Sequence, residues 1–295
     1  MVWNGVTARF KQFDTNLRLT NDQISDGTTK HKGITKCLNT NYYEMSSETS
    51  NSMLVGSWGK QTRMRPPRDI DLLYELPTSV YHRFEKYIGN KQSALLQEIK
   101  GVLEKTYPST AMRADGQVII VRFNTINVEV VPAFPLTNGQ YWICDTNNGR
   151  KYKEFDAVAE IENMKKANNE TNGNARFLTK FMKAWQRECS VPIKSFWIEL
   201  LAIDFLSSWP YKQSSPFYHD WMTRDFLKYL CGKKNSHIVV PGTYEYIGLG
   251  DDWFSRAETA HNRAVKAEQY EYRDEIQAAG EEWQKIFGSQ IPIHV

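Results

Sequence analysis

Cysteine is scarce in this chain of 295 residues, with four copies at Cys37, Cys144, Cys189 and Cys231, far apart and without a Cys-x-x-Cys pair. That spacing argues against a disulfide framework and a structural zinc site, and it fits a reducing, cytoplasmic compartment. The six histidines are equally scattered and form no His-Glu-x-x-His motif, so zinc-protease chemistry is not expected. Long apolar runs are missing too. The most apolar segment, SFWIELLAIDFL at 195–206, is too short for a bilayer and carries Glu199 and Asp204. The start, MVWNGVTARFKQF, has neither a long apolar stretch nor a small-residue cleavage pattern, so no signal peptide is expected. An excess of one charge sign is also lacking: 37 basic against 34 acidic side chains leave +3. A protein that wraps duplex DNA or coats an anionic membrane carries a clearer basic surplus, so any polyanion handled here is expected to be small.

What is present fits a folded globular chain. Hydrophobic residues make up 41% and charged residues 24%, which excludes disorder. At roughly 150 residues per domain the length allows two domains. Aromatics reach 13%, with nine tryptophans, which suits both a large core and base stacking.

Residues 7–45 read as helical, with Phe10, Phe13 and Leu17 and then Ile34, Cys37 and Leu38 at three- and four-residue spacings. A polar run, SSETSNS at 46–52, is followed by Met53-Leu54-Val55 and a Gly56-Ser57-Trp58-Gly59 turn. Residues 68–74 alternate acidic and apolar side chains as a strand does. Helical periodicity returns over 79–106. Two β-rich runs, 117–123 and 126–131, follow it. From about Asn163 onward the pattern is nearly all helical, punctuated by Pro192, Pro210, Pro216 and Pro241-Gly242. The expectation is an α/β half to about residue 155 and a helical half from 156 to 295, with the ligand site in the cleft between them.

The strongest local signal is Gly56-Ser57, eleven residues, then Asp69-Ile70-Asp71. Side chains at i and i+2 of a strand share a face, so the two aspartates project together while Ile70 faces the core. Two close carboxylates repel unless a cation sits between them, and hard oxygen ligands suit Mg²⁺ or Mn²⁺. A Gly-Ser turn just upstream offers backbone N–H groups and a hydroxyl to an anion. A third acid, Glu129, stands between Val128 and Val130 and is costly to bury unless paired or coordinated. A salt bridge to Arg122 is the structural alternative. Metal carboxylates beside a phosphate cradle describe phosphoryl transfer.

GSWGKQTRMRPPRDIDLLYEL followed by VEVVPAF resembles the nucleotidyltransferase fold of DNA polymerase β relatives, and more narrowly the bacterial cGAS/DncV-like nucleotidyltransferases of CBASS anti-phage systems. Oligoadenylate synthetases and cGAS are their animal cousins. Phe181-Met182-Lys183-Ala184-Trp185, Lys194-Ser195-Phe196-Trp197, the DDWFSRA segment and Glu282-Trp283 continue the resemblance through the rest of the chain in order. It implies an α+β fold: a polymerase-β-like core of mixed sheet and helices, residues 1–155 with N-terminal helices, plus a helical substrate-binding domain, residues 156–295.

The resemblance also implies the site. Asp69, Asp71 and Glu129 would hold two Mg²⁺ ions, or Mn²⁺. Gly56 and Ser57 would hold the donor's β- and γ-phosphates, Lys183 and Ser195 would contact its triphosphate, and Lys180 would assist. Phe196 would stack on a base, a contact worth roughly 1–3 kcal/mol, whereas Trp185 is expected in the core. The implied activity joins ATP or other ribonucleoside triphosphates into a cyclic di- or trinucleotide second messenger, releases pyrophosphate, and supplies a separate effector protein. A regulatory partner protein is compatible with it; a membrane or a duplex DNA requirement is not expected. The rival readings are a linear or RNA- or protein-modifying nucleotidyltransferase, and a degenerate nucleotide-binding regulator. One departure bears on them: the family's third acid is usually Asp, and Glu129 reaches about 1.5 Å further.

Overall fold

The computed structural model describes residues 3–147 and 151–295. The chain runs α1 (Val6–Leu17), α2 (Asn21–Tyr43), β1 (Ser52–Leu54), a one-turn helix α3 (Gly56–Gly59), β2 (Asp69–Glu75), α4 (Thr78–Glu85) and α5 (Lys91–Thr106). Strands β3 (Ala111–Asp115), β4 (Val118–Arg122), β5 (Asn127–Pro135), β6 (Tyr141–Asp145) and β7 (Lys151–Phe155) follow. Then come α6 (Ala157–Glu170), α7 (Asn174–Glu188), α8 (Ser195–Ser208), α9 (His219–Cys231), the short strands β8 (His237–Val239) and β9 (Tyr246–Gly248), α10 (Phe254–Tyr272) and α11 (Ile276–Phe287). Among the described residues no helix is long and apolar enough to cross a membrane.

These elements form two compact units: Leu19–Ile161, and Met1–Arg18 together with Glu162–Val295. In the first, the sheet unit, strands are ordered β1-β2-β5-β4-β3, with β6 on β5 and β7 on β6. The β2–β5 pair is parallel and its neighbours are antiparallel. Period-2 alternation decides the two faces. Ile70, Leu72, Tyr74, Ile119, Val121, Val128 and Val130 pack against Ile34 and Leu38 of α2, Val80 and Phe84 of α4, and Leu95, Leu96 and Ile99 of α5. On the other face Val55, Leu73, Val131, Ala133, Tyr141, Ile143 and Ala157 make a smaller cluster, and it stops one rung short of Asp71 and Glu129. Helix α2 begins in a capping box, in which the Thr20 hydroxyl accepts from Gln23 N while the Gln23 side chain accepts from Thr20 N.

The second, helical unit corrects the expected partition, because α1 belongs to it and not to the sheet. Phe10 and Phe13 are fully buried, and their rings lie 5.7 and 4.9 Å from Phe181. Phe10 also meets Trp283 at 5.2 Å, and Phe13 meets Phe287 at 4.7 Å. The apolar face of α1 therefore finds its partners on α7 and α11, which sequence periodicity alone does not reveal. The buried Arg9 guanidinium adds bonds to Glu271 Oε1 and to the carbonyls of Ile276, Pro292 and Ile293 at 2.6–3.1 Å. The nearly all-helical expectation for this part also misses one feature. Around Pro241-Gly242 the chain forms the antiparallel β8–β9 hairpin.

Candidate active site

The acids meet because two strands run parallel in one register. Asp69 stands opposite Asn127, Ile70 opposite Val128, and Asp71 opposite Glu129. Ile70 and Val128 are fully buried in the larger core, which turns Asp69, Asp71, Asn127 and Glu129 to the opposite face, all of them half-buried. The Asn127 amide donates from Nδ2 to Asp69 Oδ1 at 3.0 Å. Burial pushes the Glu129 carboxyl up to about 7, and the charges of Asp71, Asp69 and Asp115 push it the same way. The alternative partner, Arg122 at the end of β4, stands opposite Asn127 of β5, and among the described residues it makes no ion pair with Glu129.

The Gly-Ser turn lies against this pair. Val55 N donates to Asp71 O at 2.9 Å, which hooks the start of α3 to β2. Gly56 has φ +52°, and a Cβ there would come within 1.9 Å of Asp71 Oδ2, so both its conformation and its close approach demand glycine. A Cβ on Gly59 would sit 2.3 Å from Leu54 O. Lys60, which ends the turn, makes a buried ion pair with Glu160 at 2.7 Å. The half-buried Ser57 is thus carried on a backbone fixed at both ends.

This donor set is chemically suited to a divalent cation, since three carboxylates supply hard oxygens from adjacent strands. The Glu129 carboxyl is raised by burial first and by the neighbouring acids second, so a bound cation would favour its ionised form. Among the described residues, no group of three or more His, Cys, Asp or Glu side chains is drawn together closely enough to hold a metal ion. Like-charge repulsion opposes such closure without a cation. The donor types fit such an ion.

The remaining sequence-predicted residues all lie on the helical unit. Lys183 is half-buried on α7, and Ser195 and Phe196 open α8. The Ser195 hydroxyl donates to Gln186 Oε1 at 2.8 Å. The Lys180 ammonium is buried in an ion pair with Asp14 of α1, which joins α1 to α7. Trp185 is fully buried, as expected of a core residue. Asn127 went unrecognised in the sequence, although Asn-x-Glu matches the spacing of Asp-x-Asp.

The Second Messenger Oligonucleotide or Dinucleotide Synthetase (SMODS) domain matches residues 5–168, more than half of the chain. The chain belongs to the SMODS family. A probable cyclic nucleotide synthase of Bacillus cereus strain VD146 is 22% identical to this SMODS chain over 277 residues, covering 81% of each. Escherichia coli DncV in its 3′-deoxy GTP bound form superposes with a TM-score of 0.72 at 13% identity, over 94% of this chain and 93% of that one. Escherichia coli MS115-1 CdnC, in a complex with HORMA-deltaN, gives 0.68 at 17% identity, over 97% and 96%. The fold is therefore that of the cGAS/DncV-like nucleotidyltransferases, and family membership makes this SMODS chain a nucleotidyltransferase of the cyclic oligonucleotide synthase class.

Proposed function

We propose that the enzyme joins ribonucleoside triphosphates, ATP among them, and closes them into a cyclic di- or trinucleotide. The 3′ or 2′ hydroxyl of an acceptor attacks the donor's α-phosphorus; a new P–O bond forms, the bond to the β-phosphate breaks, and pyrophosphate leaves as the hydroxyl proton is lost. The linear product keeps its own triphosphate, which serves as donor when its terminal hydroxyl closes the ring with release of a further pyrophosphate. The observation that carries this reading is the parallel register that sets Asp71 opposite Glu129, with the Gly56 backbone against the Asp71 carboxylate.

Asp69, Asp71 and Glu129 would hold Mg²⁺ or Mn²⁺, two ions by family resemblance. Bound there, the metal supplies charge neutralisation at the triphosphate and acidifies the attacking hydroxyl. Ser57 and the backbone N–H groups beside Gly56 bind the β- and γ-phosphates. Lys183, Ser195 and Phe196 keep the donor-binding roles that the resemblance gives them. Burial and the neighbouring acids raise Glu129 to about 7, so a bound cation would favour its ionised form. Positioning and charge neutralisation carry most of such a reaction. The product is read as a second messenger for a separate effector in anti-phage defence. The CdnC complex with HORMA-deltaN supports a regulatory partner protein here as well.

Purified protein incubated with the four ribonucleoside triphosphates and Mg²⁺ or Mn²⁺, then treated with phosphatase, tests this by mass spectrometry. A phosphatase-resistant cyclic mass absent from Asp69→Ala/Asp71→Ala is the expected result. Linear products alone would refute the ring-closing step. Turnover in the double variant would refute the site.

A further inference from the structure

The site face carries two rungs, and they differ in charge. Asp71 faces Glu129, acid against acid, while Asp69 faces Asn127, acid against amide. Three of these four positions are carboxylates, and Asn127 is the neutral fourth. The amide does more than remain neutral. An ionised carboxylate only accepts, so the group that Asn127 turns toward Asp69 must be its N–H₂, and it reaches Oδ1 at 3.0 Å. That bond occupies one oxygen of Asp69 and leaves Oδ2 outside it. The neighbouring aspartate is restrained differently, by the Gly56 backbone packed against Asp71 Oδ2.

We infer that Asn127 is a positioning residue for the metal-dependent reaction: it fixes the Asp69 carboxylate in one orientation, with Oδ2 presented for a cation. The inference rests on the metal-dependent reading proposed above. An untethered Asp69 could turn about its side-chain bonds, and part of the cation-binding energy would go into fixing it again. Partners of this kind orient metal-binding carboxylates, and removing one usually weakens metal affinity about 10–100-fold. Asn127 is well placed for the task because it sits on β5, two residues before Glu129, so the strand that supplies the third acid also aligns the first.

The test follows the thermal unfolding midpoint as Mn²⁺ is added with α,β-methylene-ATP, a nucleotide whose α–β linkage cannot be cleaved. Wild type, Asn127→Ala, the milder Asn127→Ser and Asp69→Ala are compared, each also measured in EDTA. Both Asn127 variants should need about 10-fold more Mn²⁺ for half-maximal stabilisation, with midpoints in EDTA within about 4 °C of wild type. Their turnover should recover at high Mn²⁺. If they respond to Mn²⁺ as wild type does while Asp69→Ala has lost its response, the tether is refuted and the proposed function stands. An unchanged Mn²⁺ response in Asp69→Ala would refute both.

Discussion

Glu129 joins two properties that pull against each other: it completes an acidic site, and it pays for doing so in stability. Its carboxyl is pushed from 4.5 to about 7, by burial first and by Asp71, Asp69 and Asp115 next. A folded value above the unfolded one means that the folded state binds the proton more tightly. The associated stabilisation is complete below about pH 4.5 and is lost as the pH rises to 7 and beyond. Glu129→Gln should therefore raise the unfolding free energy in EDTA at pH 8, by roughly 1–2 kcal/mol once solvent screening is allowed for. The advantage should vanish near pH 4 in the same denaturation series. Activity should be lost in Glu129→Gln and in Glu129→Ala, whereas Glu129→Asp should stay active or gain, with pyrophosphate release as the readout. Lys180 shows the opposite case, a charge whose role is structural. Lys180→Met should destabilise the fold by about 2–3 kcal/mol, less than a fully orphaned charge would, because Asp14 keeps its bond to Arg18. The KM for nucleotides of the folded fraction should not change. The sequence placed Lys180 on a helix but could not show that its partner lies 166 positions away.

Among the elements, the one-turn α3 is the least tolerant of change. Gly56→Ala must relieve both a left-handed φ and a contact of 1.9 Å with Asp71 Oδ2. The backbone term costs about 1–2 kcal/mol, and moving a reacting group by about 1 Å costs on the order of 10²-fold in rate. The variant should keep its circular dichroism spectrum and lose about 100-fold in kcat. Strand β2 was legible within one residue, because a strand with one buried face alternates strictly. The acid at 129 was legible for the same reason, as a charge among valines. The strand YWICD and the β8–β9 hairpin were not: apolar runs of three to five residues have the same appearance in a helix and in a strand. The register that sets Asp71 against Glu129, and with it Asn127 against Asp69, depends on pairing between segments nearly sixty residues apart. No local period encodes that.

At the scale of the molecule, the division at about 155 read from the change in strand and helix pattern differs from the compact units, which part at 18/19 and 161/162. The helical unit needs α1, whose Val6, Phe10, Phe13 and Leu17 are fully buried. Each such side chain contributes about 1.5–3 kcal/mol, and Arg9 adds a fully buried ion pair to Glu271. A fragment of residues 162–295 should thus be unstable or aggregated when expressed alone, and coexpression with residues 1–18 should restore a cooperative melting transition. Residues 19–161 should fold without help. The apolar pattern of α1 was readable from the sequence, but an amphipathic helix does not name the surface that it covers.

That shared ownership of the helical unit has a consequence in time. Phe10 and Phe13 are made early, yet Trp283 and Phe287, which cover them, lie about 270 residues further along. At typical synthesis rates of roughly 5–20 residues per second, α1 waits about 15–50 s with its aromatic face uncovered while the intervening sheet unit folds. The nascent chain therefore carries the α1 face incompletely covered until α7 and then α11 are made, and binding of a holdase chaperone is expected to be strongest during synthesis and weak after it.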